Sequence, residues 1–164
     1  MLSSWLVGQT WGQSPAFESI TIADGLSQGM IFDILQSSDG FLWFATKDGL
    51  NRYDGYHFEV FTNDPFDPYS LAENTVTALF EDSQGRLWVG LQNKGTDVYD
   101  PHTGRFHHFP LDFRSKGIQE GNSVDDFLEH PADGAIWALT SGSGLIRFTL
   151  PPAWDQGLPE QARL

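Results

Sequence analysis

Acidic side chains are the most numerous reactive groups in this 164-residue chain, which contains 22 Asp and Glu residues and five His residues. Hydrolysis of a glycosidic bond needs two carboxyl groups that face the sugar from opposite sides. Asp33, Glu81 and Asp126 are the candidates, since they lie on or beside predicted strands. Nothing in their spacing marks one as acid and another as base. Solvated or turn carboxylates are therefore the simpler interpretation, and we predict no catalytic residue.

Two neighbouring histidines, His107 and His108, are the next group that could do chemistry. Adjacent side chains on a strand point to opposite faces, so these two cannot chelate one metal ion together. The chain has no Cys, which excludes disulfides and thiolate metal sites. No Ser-His-Asp order and no phosphate-cradling glycine loop is present. We therefore expect no metal and no cofactor.

The net charge of −13 restricts the classes of partner. Nucleic acids and anionic membrane surfaces need clustered Lys and Arg, whereas the nine basic residues here are scattered. No run of about 18 apolar residues occurs, so the sequence predicts no membrane span. Residues 1–14 include a short apolar patch without a basic start, which fits either a disordered tail or the remnant of a signal peptide.

One pattern recurs three times along the chain and predicts its architecture. Trp43, Trp88 and Trp137 follow one another at intervals of 45 and 49 residues (88 minus 43 and 137 minus 88). A period of this length with four short strands per copy is typical of β-propellers. Each copy combines a turn glycine, the Trp, a second turn glycine and an aromatic residue. The repeated positions are Gly40, Trp43, Gly49 and Tyr53, then Gly85, Trp88, Gly95 and Tyr99, then Gly134, Trp137, Gly144 and Phe148.

The predicted fold class is all-β, with about three four-stranded antiparallel blades of an incomplete propeller. The first strand of copy one, residues 30–35, is nearly continuously apolar, as in a strand buried on both faces. Since propellers typically have about 4–8 blades, we expect the opening part of a longer chain. The predicted divisions are an N-terminal tail (1–14), a lone leading strand (15–22), blade 1 (23–61), a connection with blade 2 (62–109), a connection with partial blade 3 (110–150) and a C-terminal tail (151–164).

The residues from Gly25 to Phe61, above all Gly40 to Gly55, closely resemble the two-component regulator propeller repeat. The resemblance extends over about residues 15–150, with departures in copy three at Leu139, Thr140 and Phe148. It implies the periplasmic sensor region of a hybrid two-component histidine kinase, many of which are similar to regulators of polysaccharide use. The implied partners are the remaining propeller blades and a downstream kinase region in a longer parent, since no phosphoacceptor helix or ATP-binding motif lies here.

A ligand site can be placed by topology. In propellers, the connections between blades and the turns between second and third strands share one face, which usually carries the ligand. Mixed amides, hydroxyls and aromatic rings suit a neutral oligosaccharide, although simple solvated loops would have the same composition. The predicted ligand-binding residues are Lys47, Asp48, Gln92, Asn93, Lys94, Arg114 and Asn122, with Asn63, Phe66, Tyr69, Asn74, Lys116, Gln119, Ser141 and Ser143 on the same loops.

Three functions follow as hypotheses. The first is a non-enzymatic sensor segment that recognises a carbohydrate-derived ligand and passes its state to a kinase. The second is a structural or protein-interaction module, for example one that forms a homodimer, in which loop substitutions would change association only. The third is a fragment of a propeller glycosidase or lyase, which would need a carboxylate cluster or a Tyr-Arg cluster at the loop face.

Overall fold

The computed structural model describes residues 17–109 and 123–148. These residues form three separate antiparallel sheets, which confirms the predicted all-β propeller blades. The first two sheets have four strands in chain order and the third has three. The strands are β1 (Ile31–Gln36), β2 (Leu42–Thr46), β3 (Gly49–Tyr53) and β4 (Phe58–Phe61) in blade 1, β5 (Val76–Glu81), β6 (Leu87–Leu91), β7 (Thr96–Asp100) and β8 (Arg105–Phe109) in blade 2, and β9 (Val124–Glu129), β10 (Ile136–Thr140) and β11 (Gly144–Phe148) in blade 3.

The turn between the first and second strands of each blade explains the repeated glycine. In blade 2, the Asp82 N–H donates to Arg86 O and the Gly85 N–H donates to Asp82 O, which closes a tight turn. Gly85 has a φ of 75°, a backbone conformation that glycine adopts without steric cost. The corresponding turn of blade 3 is one residue longer, and Gly134 there bonds back to His130.

The repeated tryptophans form the contacts between blades. Trp43, 2% exposed, packs from blade 1 onto Tyr99 of blade 2 with ring centroids 5.3 Å apart. Trp88 is fully buried and lies 6.1 Å from the Phe127 ring of blade 3. The indole N–H of Trp88 donates to the Asp82 carboxylate at 2.8 Å, so its one polar atom is satisfied. Each blade buries its faces only against a neighbour, and the two cores lie between sheets.

A second set of contacts between blades is polar. The backbone N–H and the hydroxyl of Ser38 both donate to the Glu81 carboxylate at 2.7 Å. The same pair of bonds joins Ser83 to Glu129, at 2.7 and 2.6 Å. We call this arrangement the serine–glutamate clamp. It holds the first turn of one blade against the inner strand of the next blade.

Two sequence expectations need correction. Residues 17–21 form no strand, and the apolar residues Phe17 and Ile22 are exposed. Residues Ile22–Asp24 instead form a 3-10 turn, because Thr21 caps it by accepting the Ala23 N–H while Asp24 accepts the Thr21 N–H. β1 is mostly exposed rather than buried, since no blade in the described part covers its outer side. This leaves Ile31, Phe32 and Ile34 open to solvent.

Several sequence-based divisions fall outside the described residues, namely the tails 1–14 and 151–164 and the connection from 110 to 122. Within residues 17–109 and 123–148, no helix could cross a membrane.

The burial of the repeated tryptophans predicts unequal costs of truncation. We expect Trp88→Ala to lower the free energy of unfolding by about 3–5 kcal/mol, because it empties a buried site and leaves Asp82 without its indole donor. Trp137→Ala is the matched control, since Trp137 has the same repeat position but is only half-buried. We expect Trp137→Ala to lower the free energy of unfolding by clearly less than Trp88→Ala does. Urea unfolding followed by circular dichroism measures both, and equal costs would contradict the assignment of Trp88 to an interface between blades.

Candidate functional site

The turns between second and third strands and the connection between blades 1 and 2 meet at one edge of the molecule. The Gly49 N–H donates to Asn74 O at 2.7 Å, and the Gln92 N–H donates to Thr75 O at 3.1 Å. The connection therefore enters blade 2 between the two turns and is bonded to both. This brings together five of the predicted ligand residues on one surface, the loop face: Lys47, Asp48, Gln92, Asn93 and Lys94.

These five residues differ in how their side chains are used. Asp48 accepts a hydrogen bond from the side-chain amide of Asn74 at 3.2 Å. Asn93 donates its backbone and side-chain N–H groups to the carboxylate of Glu73, both at 2.7 Å. Asp48 and Asn93 thus stabilise the loops. The exposed side chains of Lys47, Gln92 and Lys94 make no hydrogen bond or ion pair within residues 17–109 and 123–148, and they can contact a ligand.

Other predicted residues lie elsewhere. The loop that carries Phe66 packs against the outermost strand of blade 2, where the Phe106 N–H donates to Tyr69 O at 2.9 Å. The Phe66 ring is 94% exposed there. In blade 3, the Ser141 N–H donates to Ser123 O at 3.1 Å. Arg114 and Asn122 are outside the described residues, so their place at the loop face stays a prediction.

The carboxylates first considered for catalysis have structural partners. Asp33 accepts the backbone N–H of Leu79 from the next blade at 2.8 Å. Glu81 is the acceptor in the first serine–glutamate clamp. Within the described part of the chain, no group of three or more His, Asp or Glu residues is arranged to hold a metal ion. Asp33 and Glu81 therefore join blades.

Two buried polar residues that the sequence analysis missed hold the loop face in place. Asn51 accepts the Ser27 N–H at 2.8 Å, and Asp97 accepts the Ala72 N–H at 2.8 Å. Both side chains are fully buried, and each anchors the segment that leads into its blade. Their sequence signal was a polar residue two positions after the turn glycine, at Gly49 and at Gly95. Ile146 occupies that position in blade 3.

Asp97 also contacts His108, whose ring links it to the connection between blades. His108 Nδ1 lies 2.7 Å from Asp97 Oδ1, and its Nε2 lies 3.0 Å from the carbonyl oxygen of Pro68. Both ring nitrogens face acceptors, so only the doubly protonated imidazolium donates to both. The hydrogen bond to Asp97 raises the pKa of His108, while burial raises the pKa of Asp97. Burial lowers the pKa of the neighbouring His107.

These pKa directions predict a pH-dependent anchor. A His whose pKa is raised in the folded state contributes stability that is complete below its unfolded pKa of about 6.5 and is lost at higher pH. We expect His108→Leu to cost about 1 kcal/mol at pH 6, a modest value because solvent screens the half-exposed ring, and less at pH 8.5. Urea unfolding at both pH values measures this.

His107→Leu is the matched control, and its effect should have the opposite sign of pH dependence. The lowered pKa of His107 means that the native state loses stability as the pH falls. Removal of the imidazole should therefore raise the free energy of unfolding most at low pH. A loss for His108→Leu that is equal at pH 6 and pH 8.5 would contradict the imidazolium anchor.

Comparisons with known proteins agree with the repeat. The sequence model of the family described as "Two component regulator propeller" matches residues 25–48 and 70–93. Each match runs from the entering segment through the first two strands to the next turn. A curated relative from Formosa agariphila, named Histidine kinase P4, is 46% identical over 56 residues, which are 34% of this chain and 4% of the relative.

Solved structures with the same fold come from B. thetaiotaomicron. The extracellular domain of the hybrid two component system BT3049 aligns with 87% of this chain and 21% of its own, with a TM-score of 0.64 and 22% identity. The extracellular domain of the one component system BT4673 aligns with 77% of this chain and 16% of its own, with a TM-score of 0.61 and 24% identity. The chain spans about a fifth or less of each of these relatives.

At these identities the solved structures establish the fold, and the family match establishes the repeat. The chain consists of β-propeller blades, and its residues 25–48 and 70–93 match the two-component regulator propeller repeat.

Proposed function

We propose that this chain is the N-terminal part of a ligand-sensing propeller in a periplasmic, two-component signalling protein, and that it binds a neutral, carbohydrate-derived ligand without transforming it. The observation that carries the proposal is the loop face. There, backbone hydrogen bonds hold the turns of two adjacent blades, while Lys47, Gln92 and Lys94 leave their polar groups unused within the described residues. Such a fixed surface with available donors suits a ligand rich in hydroxyl groups.

A sensing role without catalysis is supported by the use of the carboxylates. Asp33 and Glu81 accept hydrogen bonds between blades, and Asp97 is buried against His108. A glycosidase would need two carboxyl groups on opposite sides of a cleft, with one available as a proton donor. The loop face of blades 1 and 2 instead presents the exposed side chains of Lys47, Gln92 and Lys94.

The proposed output is a kinase in a longer protein. The relative that shares 56 residues with this chain is named a histidine kinase, and the two solved neighbours are extracellular domains of signalling systems. These similarities support a sensor that faces the periplasm and acts through a partner region in the same polypeptide. A protein-interaction module is the second candidate, and it is favoured by the exposed apolar side chains of Leu128, Leu139 and Leu145 on blade 3.

The proposal predicts a binding loss confined to one face of blade 2. We expect Gln92→Ala to weaken the binding of a neutral oligosaccharide about fivefold, since one hydrogen bond contributes about 1 kcal/mol. Gln84→Ala is the matched control, because Gln84 is also an exposed glutamine but lies in the turn between β5 and β6, at the other end of the sheet. Isothermal titration calorimetry against a panel of hexose and pentose oligosaccharides measures both variants.

Two results would count against a carbohydrate sensor. Saturable binding that both glutamine variants weaken equally would remove the loop face as the site. Absence of binding, together with a change in oligomeric mass on substitution of Lys47 or Gln92, would favour the protein-interaction module.

A further inference from the structure

The two buried anchors of the loop face are built from different residue pairs in blades 1 and 2. In blade 1, Asn51 accepts a backbone N–H of the entering segment, and Val60 lies opposite Asn51 in the outermost strand. In blade 2, Asp97 accepts the Ala72 N–H, and His108 lies opposite Asp97. The same structural position is therefore filled by a neutral pair in one blade and by a pair that can titrate in the other.

The His108 ring makes a second contact that the valine of blade 1 cannot make. Its Nδ1 lies 2.7 Å from Asp97 Oδ1, and its Nε2 lies 3.0 Å from the carbonyl oxygen of Pro68 in the connection between blades 1 and 2. Both contacts are hydrogen bonds only when the pair holds two protons, one between Nδ1 and Asp97 Oδ1 and one on Nε2. When one proton leaves, a ring lone pair faces an oxygen atom, and that contact is lost.

The connection carries this contact to the loop face. Asp97 holds the Ala72 N–H, and the next two residues bond to the turns of both blades. Glu73 accepts two hydrogen bonds from the turn of blade 2, both at 2.7 Å. The carbonyl oxygen of Asn74 accepts the Gly49 N–H in the turn of blade 1, also at 2.7 Å. The titrating pair is therefore attached directly to the segment that positions both turns.

The charged groups around His108 set the direction of the response. Asp97 faces the ring from β7, and Glu73 of the connection adds negative charge near Asp97. His107 and Arg105 are the basic residues of the same strand, β8. The hydrogen bond to Asp97 is the largest influence and raises the pKa of His108. The two contacts are therefore complete below the unfolded pKa of about 6.5 and are lost as the pH rises through the raised value.

A buried leucine makes this response local. Leu71, one residue before Ala72, is fully buried in the core between blades 1 and 2. Its carbonyl oxygen also accepts the side-chain amide of Asn63 at 2.7 Å. Neither contact involves His108, so the connection stays attached when the pair loses a proton. We expect the anchor to loosen and the blades to remain folded.

We propose that the Asp97–His108 pair is a pH-sensitive switch, which holds the connection and the turns of the loop face in place while it carries two protons and loosens them when it loses one. Its effect on ligand affinity rests on the ligand site proposed above at the loop face. A surface that is already ordered needs no ordering when a ligand binds, so the affinity is highest in the protonated state.

Hydrogen–deuterium exchange of single backbone amides tests the switch without a ligand. We expect the protection factors of the Ala72 and Gln92 amides to fall about fivefold between pH 6 and pH 8.5, as one hydrogen bond of the pair is lost. The Ser27 amide is the internal control, since it bonds to the neutral Asn51 and its protection should stay constant. Equal falls at Ala72 and Ser27, or no fall at Ala72, would overturn the proposal.

A double variant gives blade 2 the neutral pair of blade 1. Asp97→Asn keeps an oxygen that accepts the Ala72 N–H, and His108→Val removes the titrating ring. The pH dependence at Ala72 and Gln92 should disappear in this variant, and its persistence would overturn the proposal. If the double variant does not fold, NMR titration of the His108 ring protons in the unaltered protein decides instead. Their midpoint must coincide with the midpoint of the fall in protection at Ala72.

Calorimetry at pH 6 and pH 8.5 tests the effect on affinity, with whichever oligosaccharide of the hexose and pentose panel binds the unaltered protein. We expect a dissociation constant about fivefold higher at pH 8.5, and equal constants at both pH values for the double variant. Equal constants for the unaltered protein would overturn the coupling to the loop face. If no oligosaccharide binds while the Ala72 amide responds to pH, the proposed carbohydrate ligand fails and the switch is upheld.

Discussion

The structure depends on one constraint, which is that a four-stranded blade has two faces and cannot bury either by itself. The repeated tryptophan meets this constraint. It projects from the second strand of one blade into the side chains of the next, as Trp43 does toward Tyr99 and Trp88 toward Phe127. The largest side chain of each repeat thus lies where its apolar surface is removed from water only when two blades pack together. The stability of such an array comes largely from the interfaces between neighbouring blades.

Apolar packing sets the blades side by side, and the polar contacts fix their register. The serine–glutamate clamp joins first turns to inner strands, while Asp33 bonds the backbone of the next blade directly. Hydrogen bonds need a close match of donor and acceptor positions, so these contacts favour one arrangement over a slipped one. Blade 3 lacks the serine of the clamp but has Asp126, which differs from the Ala78 of blade 2. The two interfaces between the described blades share the clamp, and the Asp33 contact joins only blades 1 and 2.

The loop face is a consequence of the same construction. Asn51 and Asp97 bury their side chains to hold the entering segments, and His108 extends the second anchor to Pro68. Once the connection is held between two turns, the side chains of Lys47, Gln92 and Lys94 have no structural task in the described part of the chain. A surface assembled in this way has a backbone that hydrogen bonds hold in place and side chains that are exposed, which is the construction that the proposed ligand site requires.

The amino-acid sequence by itself determined the local structure and the repeat. Turn glycines, alternating strands and the spacing of Trp43, Trp88 and Trp137 predicted about three antiparallel blades, and the described residues form three antiparallel sheets at these repeats. These features are local, since turn chemistry and strand pattern act over a few neighbouring residues. Residues 17–22 of the predicted leading strand form no strand, because they pair with no sheet edge in the described part and the cap at Thr21 gives the backbone a nearer partner.

The tertiary structure alone decided which polar residues are structural and which remain available. Asp48 and Asn93 look like ligand contacts in the sequence, but the folded chain pairs them with Asn74 and Glu73. The roles of Asp97 and Asp33 were equally hidden, because each accepts a backbone N–H from a segment more than 20 residues away. Composition and spacing identify a repeat, whereas the partner of each polar group is set by how one blade lies on the next.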